Sequence, residues 1–160
     1  MKISSQEEYG LRCILQLARE RTEPLSLAEI AGREGLSSAY VAKLMGQMRD
    51  AGLVEAVRGR SGGYTLARSP EEINVHEVLT AFSGQLFQGS FCDEHPGAGE
   101  TCVHQGSLCN IKSLWGVLDG LIGTVLSRTS LADLLCFGRV EKVFEEPRRL
   151  LVAGSPPRSS

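Results

Sequence analysis

The 160-residue chain carries 17 Lys and Arg against 19 Asp and Glu, a formal charge of −2, and 42% of its residues are hydrophobic. That length suits one ordinary domain, or a small domain with an oligomerisation element, and the hydrophobic fraction is that of a globular protein. No apolar run reaches the length of a membrane span, and the opening MKISSQEEYG lacks the apolar segment of a secretory leader, so a cytoplasmic protein with no membrane partner is expected.

The charge is unevenly spread. Between Lys43 and Arg68 stand five basic residues, Lys43, Arg49, Arg58, Arg60 and Arg68, against Asp50 and Glu55. From Glu71 to Glu100 there is no Lys or Arg at all. For DNA binding the local sign matters more than the total.

Residues 6–20 predict a first helix, because Tyr9, Leu11, Ile14, Leu15 and Ala18 recur at helical spacing with Glu7, Glu8, Arg12, Gln16 and Arg19 between them. Pro24 breaks the pattern. Ser26 stands three residues before Glu29, a capping-box signature, and LAEIAGREG predicts a short helix ended by Gly35. A third helix follows, capped by Ser37 or Ser38, with Tyr40, Val41, Leu44 and Met48 as its apolar stripe and Gly52 as its end. LVEAV and GYTLA alternate as strands do, and the RGRSGG between them suits a hairpin tip that needs positive φ. SPEEINVHEVLTAFSG predicts a further helix. After a cysteine-bearing loop, Ile111, Leu114, Leu118, Leu121, Ile122, Val125 and Leu126 form one broad apolar face. A helix of roughly 20 residues there would span about 30 Å and is too apolar to stand alone, so it should pack against a partner. The expected division is a DNA-binding domain over 1–83, a cysteine loop over 84–110, a dimerisation helix with a helical turn over 107–135, and a disordered tail over 136–160. The fold class is mainly α with a small β-hairpin wing.

Two short helices about a Gly-containing turn, then a hairpin, is the winged helix–turn–helix order. The helix from Ser37 would be the recognition helix, with Ser37, Ser38, Tyr40 and Lys43 in reach of phosphates or base edges. Arg58, Gly59, Arg60, Gly62, Gly63 and Tyr64 form a short cationic tip of the kind that enters a narrow minor groove. The plainer reading is a solvated hairpin with arginines for solubility. GRSGGYT lacks the lysine of a phosphate-binding loop and precedes a strand, and no acid–base pair, nucleophile elbow or cofactor fingerprint points to an enzyme.

FCDEHPGAGETCVHQGSLC, residues 91–109, holds Cys92, Cys102 and Cys109 with His95 and His104. An odd total of five cysteines does not suit a closed disulfide framework, and reduced cytoplasmic thiols suit metal or redox work. Three thiolates on a glycine-rich loop fit an iron–sulfur cluster with one open iron position. Three thiolates with His95 or His104 fit zinc equally, and the thiols alone could act as redox switches. Cys13 reads as a small core residue, Cys136 as incidental, His76 as a helix-surface or interface histidine and Trp115 as packing.

The strings MKISSQEEYGLRCILQLA, LSLAEIAGREGLSSAYVAKLMGQMRDAGLVEAVRGRSGGYTLA, INVHEVLTA and LWGVLDGLIGTVLSRTSLADLL closely resemble the iron–sulfur winged-helix transcription regulators typified by IscR and NsrR, over about residues 1–135. The resemblance implies a homodimer joined by the long helix, with Leu114, Leu118, Leu121, Ile122 and Val125 in its interface, on a palindromic operator of double-stranded DNA. It also implies a 2Fe–2S or 4Fe–4S cluster on Cys92, Cys102 and Cys109 that tunes DNA binding, in the expected sense of a repressor sensing redox state, nitric oxide or iron. Arg58 matches the wing arginine that enters the minor groove. The chain departs from the pattern in its C-x9-C-x6-C spacing, against about five to seven residues and then five in the family. Lys112 stands where one branch has a histidine ligand, and Glu8 stands where another takes a carboxylate from the partner subunit, so Glu8 is the candidate fourth ligand, with His104 or His95 as alternatives.

Overall fold

A computed structural model describes residues 3–20, 23–59, 62–83, 109–136 and 139. Helix α1 spans Ser5–Arg19 and begins at a reciprocal cap: the Ser4 hydroxyl accepts from the Glu7 N–H, and the Glu7 carboxylate accepts from the Ser4 N–H at 2.6 Å. The sequence pattern places Glu7 among the solvated residues of this helix, yet it is buried. The cap explains the difference, because the carboxylate folds back onto the helix end where it meets orphan N–H groups.

Helix α2, Leu27–Glu34, starts at the predicted Ser26–Glu29 box and ends at Gly35, whose φ of 67° is left-handed. Helix α3, Ser38–Asp50, is capped by Ser37, and Gly52 at φ 70° turns the chain out of it. Strands β1, Val54–Val57, and β2, Gly63–Leu66, pair antiparallel with Val54 opposite Leu66 and Val57 opposite Gly63. Leu25 adds a one-residue third rung, its N–H and C=O both bonded to Tyr64 at 3.0 and 2.8 Å.

The next helix, α4, spans Val75–Ser83 and is shorter than predicted, since the pattern suggests helix from Ser69. Local bonds and one tertiary bond stop it there. Ser69 closes a turn on the Glu72 carboxylate, and the Asn74 Oδ1 accepts from the Glu77 N–H at 2.9 Å as an N-cap. The Ile73 carbonyl, meanwhile, accepts from Leu131 N–H at 2.9 Å. Helix α5, Asn110–Ser127, is followed at once by α6, Leu131–Leu135, which opens on a Ser130–Asp133 box.

One core unites residues 3–83 with 129–136. Cys13, Ile14, Ile30, Leu44, Met45, Met48, Ile73 and Leu131 are all fully buried in it. Each such aliphatic side chain contributes about 1.5–3 kcal/mol. The cysteine loop, with Cys92, His95, Cys102 and His104, and the tail beyond 139 lie outside the described residues.

Helices α1 and α4 approach closely at Gly10, where a Cβ would sit 2.2 Å from the Phe82 ring. Alanine is favoured over glycine in a helix by about 1 kcal/mol. A ring overlapped by more than an ångström outweighs that, since overpacking costs about 1–3 kcal/mol. Gly10→Ala should therefore destabilise the chain in urea titration, and adding Phe82→Leu should recover much of the loss. A Gly10→Ala chain more stable than wild type would show that the ring yields freely.

A candidate nucleic-acid interface

The buried stripe Val41, Leu44, Met45 and Met48 seats α3 on the core, which leaves Ser38, Ala39, Lys43 and Asp50 exposed on the other side. Ser37 accepts the Tyr40 N–H at 3.2 Å through its hydroxyl oxygen, so its own O–H remains to donate outward. Tyr40 has a different part. It is half-buried, its ring set edge-on to Tyr9 with centroids 6.1 Å apart, and Tyr9 in turn lies under the Arg12 guanidinium at 5.5 Å. Its ring joins α3 to α1.

Arg58 is exposed directly after β1. The tip is shaped by glycines: Gly59 takes φ 129°, and the Gly62 N–H donates to the Gly59 carbonyl at 3.0 Å. A Cβ on Gly63 would lie 2.5 Å from the Leu25 carbonyl oxygen, so this glycine admits the third rung. Tyr64 is half-buried and packs on the core, so its ring supports the wing. Arg60 and Ser61 lie outside the described residues.

The five basic residues of the sequence are not equally available. Arg49 is paired with Asp50 at 2.9 Å, which raises its pKa through that hydrogen bond and charge. Arg68 is paired with Glu77. Lys43 and Arg58 are exposed and make no ion pair among the described residues. The cations free to meet phosphate thus stand on the two elements that a winged helix lays on DNA.

Helix α5 is unusual in having no buried residue. Ile111, Leu114, Val117 and Leu121 are exposed by 62, 54, 60 and 41%, while Leu118, Ile122 and Val125 are half-buried beside α4. The uncovered stripe therefore lies to one side of the predicted face. Ile111 and Val117 belong to it although absent from the candidate interface; the broad apolar pattern hides which flank its own chain covers.

Among the candidate cluster residues, Cys109 stands at the N-cap position of α5, half-buried and with no capping hydrogen bond. Glu8 is exposed in the first turn of α1. An uncommitted thiol and an exposed carboxylate fit the donor types that the cluster needs. Among the described residues no three His, Cys, Asp or Glu side chains converge on a common point. Cys136 is exposed, and Lys112 is exposed in the first turn of α5.

A recognition helix with a glycine-shaped wing on a helical core defines a winged-helix DNA-binding protein. The chain belongs to the Rrf2 family, described as iron-dependent transcriptional regulators, which it matches over residues 3–136. It is 33% identical over 144 residues to the transcriptional regulator IscR of Aliivibrio salmonicida, covering 89% of this chain and 82% of that one. Over 139 residues it is 32% identical to the regulator CymR of Bacillus subtilis, covering 86 and 91%. Among solved structures, the global cysteine regulator CymR of B. subtilis superposes with a TM-score of 0.68 at 29% identity, covering 84% of this chain and 95% of that one. T. potens IscR does so at 0.67 and 33%, covering 92 and 91%. The protein is therefore a DNA-binding transcriptional regulator, and no helix among its described residues is long and apolar enough to cross a membrane.

Cys13 bears out its reading as core: it is fully buried, and burial pushes its thiol up to about 11 from 9.0. The raised value means that the unfolded thiol ionises first as pH climbs, so this stability is complete below 9.0 and is lost towards about 11. Wild type should lose about 1 kcal/mol more than Cys13→Ala between pH 9 and 10 in matched denaturant titrations. Parallel pH curves would show that the thiol is not held neutral.

Proposed function

We propose that the chain is a homodimer that binds a palindromic operator as a repressor, through α3 in the major groove and the wing in the minor groove, under control of an iron–sulfur cluster. The observation that carries the DNA half is that Lys43 on α3 and Arg58 at the wing make no ion pair among the described residues, while Arg49 and Arg68 are already paired. Ser37 and Ser38 at the start of α3 suit close approach to phosphate, with the helix dipole adding to the attraction. The second copy is argued from α5. An arm about 27 Å long with an exposed apolar stripe and no buried residue fits an identical arm.

Cys92, Cys102 and Cys109 would hold the cluster, with Glu8 of the other copy, or else His104 or His95, at the remaining iron. The cluster would supply a redox-active and nitric-oxide-reactive centre. The chain's own part is to place Cys109 at the head of α5, so that the segment holding the sulfurs runs between α4 and the dimer arm. Likeness to regulators named IscR supports this reading. Likeness to one named a global cysteine regulator supports a second, in which the same thiols act without a cluster.

Leu114→Asp with Leu121→Asp should convert the dimer to monomer in sedimentation and cost most operator affinity, because two weak half-sites are no longer linked. Arg58→Ala in the intact dimer should weaken binding and lower its salt dependence. A dimer that survives the double change, or binding indifferent to Arg58→Ala, places the interfaces elsewhere.

Anaerobically isolated protein should be coloured and contain iron and sulfide, and Cys92→Ala, Cys102→Ala or Cys109→Ala should each bleach it while Cys13→Ala and Cys136→Ala do not. Glu8→Ala should perturb the spectrum or hasten cluster loss. If His104→Ala does so instead, a histidine completes the site. A colourless protein that binds DNA only when its thiols are reduced supports the cluster-free reading.

A further inference from the structure

The foot of the wing and the elbow of the long helix meet at one carboxylate. Arg68 leaves β2 with its Nη2 ion-paired to Glu77 Oε2 and its Nη1 donating to the Glu72 carbonyl at 3.2 Å. The other oxygen of Glu77, Oε1, accepts from Asn74 Nδ2 at 2.7 Å. Asn74 is bridged antiparallel to Ser130, and beside it the Val75 N–H donates to the Thr129 carbonyl at 2.8 Å. Ser130 is the residue that turns α5 into α6.

Capping α4 needs only one oxygen of Glu77, and the second is committed to the wing. We infer that Glu77 is a positioning residue for DNA reading: it ties the wing's foot to the elbow of α5 and so sets the operator spacing that the dimer accepts. The inference rests on the α5 dimer and palindromic operator proposed above. Leverage makes the tie matter. A rotation of roughly 7° at the elbow carries the end of an arm about 27 Å long through about 3.4 Å, the rise of one base pair. The ion pair itself is half-exposed, with 41% and 33% of the two side chains open to solvent, so its removal should leave folding nearly unchanged. What it removes is a fixed angle.

The test uses full-length dimer and duplexes that the wild-type chain selects from a random pool, rebuilt with one base pair added to or removed from the centre. Glu77→Gln, Arg68→Gln and the double variant are compared with wild type at one salt concentration. Each single variant should lose about three- to fivefold on the selected spacing, in keeping with one exposed pair. Its preference over the altered spacings should flatten. The double variant should be no worse than either single, because both remove one shared contact. The ratio between spacings cancels the general effect of losing or gaining a charge. Thermal midpoint and dimer mass should not move, which separates positioning from folding. A wild-type chain that is monomeric or selects no palindrome overturns the dimer reading and this inference with it. A wild type that selects a palindrome, with Glu77→Gln keeping the same preference among spacings, overturns the inference alone.

Discussion

The buried stripe of α1 is the floor on which the DNA-reading unit rests. Cys13, Ile14, Leu17 and Ala18 line it, and α2, α3, α4, α6 and β2 all pack against this one helix. A second contact fixes how the turn between α2 and α3 sits on that floor. The Glu34 side chain, only 6% exposed, is bonded to Arg12 at 2.7 Å through one oxygen and to the Gln16 amide through the other. Loss of Arg12 would leave this carboxylate's charge without compensation, and loss of Gln16 would leave one of its oxygens without that donor. The direction in which α3 faces is thus decided by α1 before any DNA is met.

The sequence was most legible where one residue decides one local bond. Ser26 with Glu29, Ser37, Gly35 and Gly52 start or stop their helices where their chemistry requires. It was less legible where tertiary contacts compete with a local pattern. SPEEIN has helical composition, but Ile73 gives its carbonyl to Leu131 and Asn74 pairs with Ser130, partners more than fifty residues away in the chain. Leu25 as a strand rung left no trace, since a single residue has no period. The cysteines were visible as a set. Whether their sulfurs meet is decided by folding and not by spacing, and Cys92 and Cys102 lie outside the described residues.

Charge shows the same limit from another side. Counted along the chain, Arg49 and Arg68 look like part of a basic reading surface; folded, each faces a carboxylate. What remains, among the described residues, is a small positive contribution on α3 and the wing. So few phosphate contacts give one reading head modest affinity, which the proposed pairing of two heads would raise.

The chain leaves the core at Ser83 and returns to it at Thr129, where the backbone is bonded to Val75 and Leu131 is buried beside Ile73. Residues 84–128 thus lie between two ends that the core holds fixed. Closing a chain segment between two fixed ends costs an entropy that grows only as the logarithm of its length, so about four extra residues in about 45 cost on the order of 0.1 kcal/mol. Lengthening it is close to neutral for the core. The wide C-x9-C-x6-C spacing therefore needs no compensating change elsewhere in the protein. The interval between the cysteines can change while the surface of α3 and the wing keeps its shape.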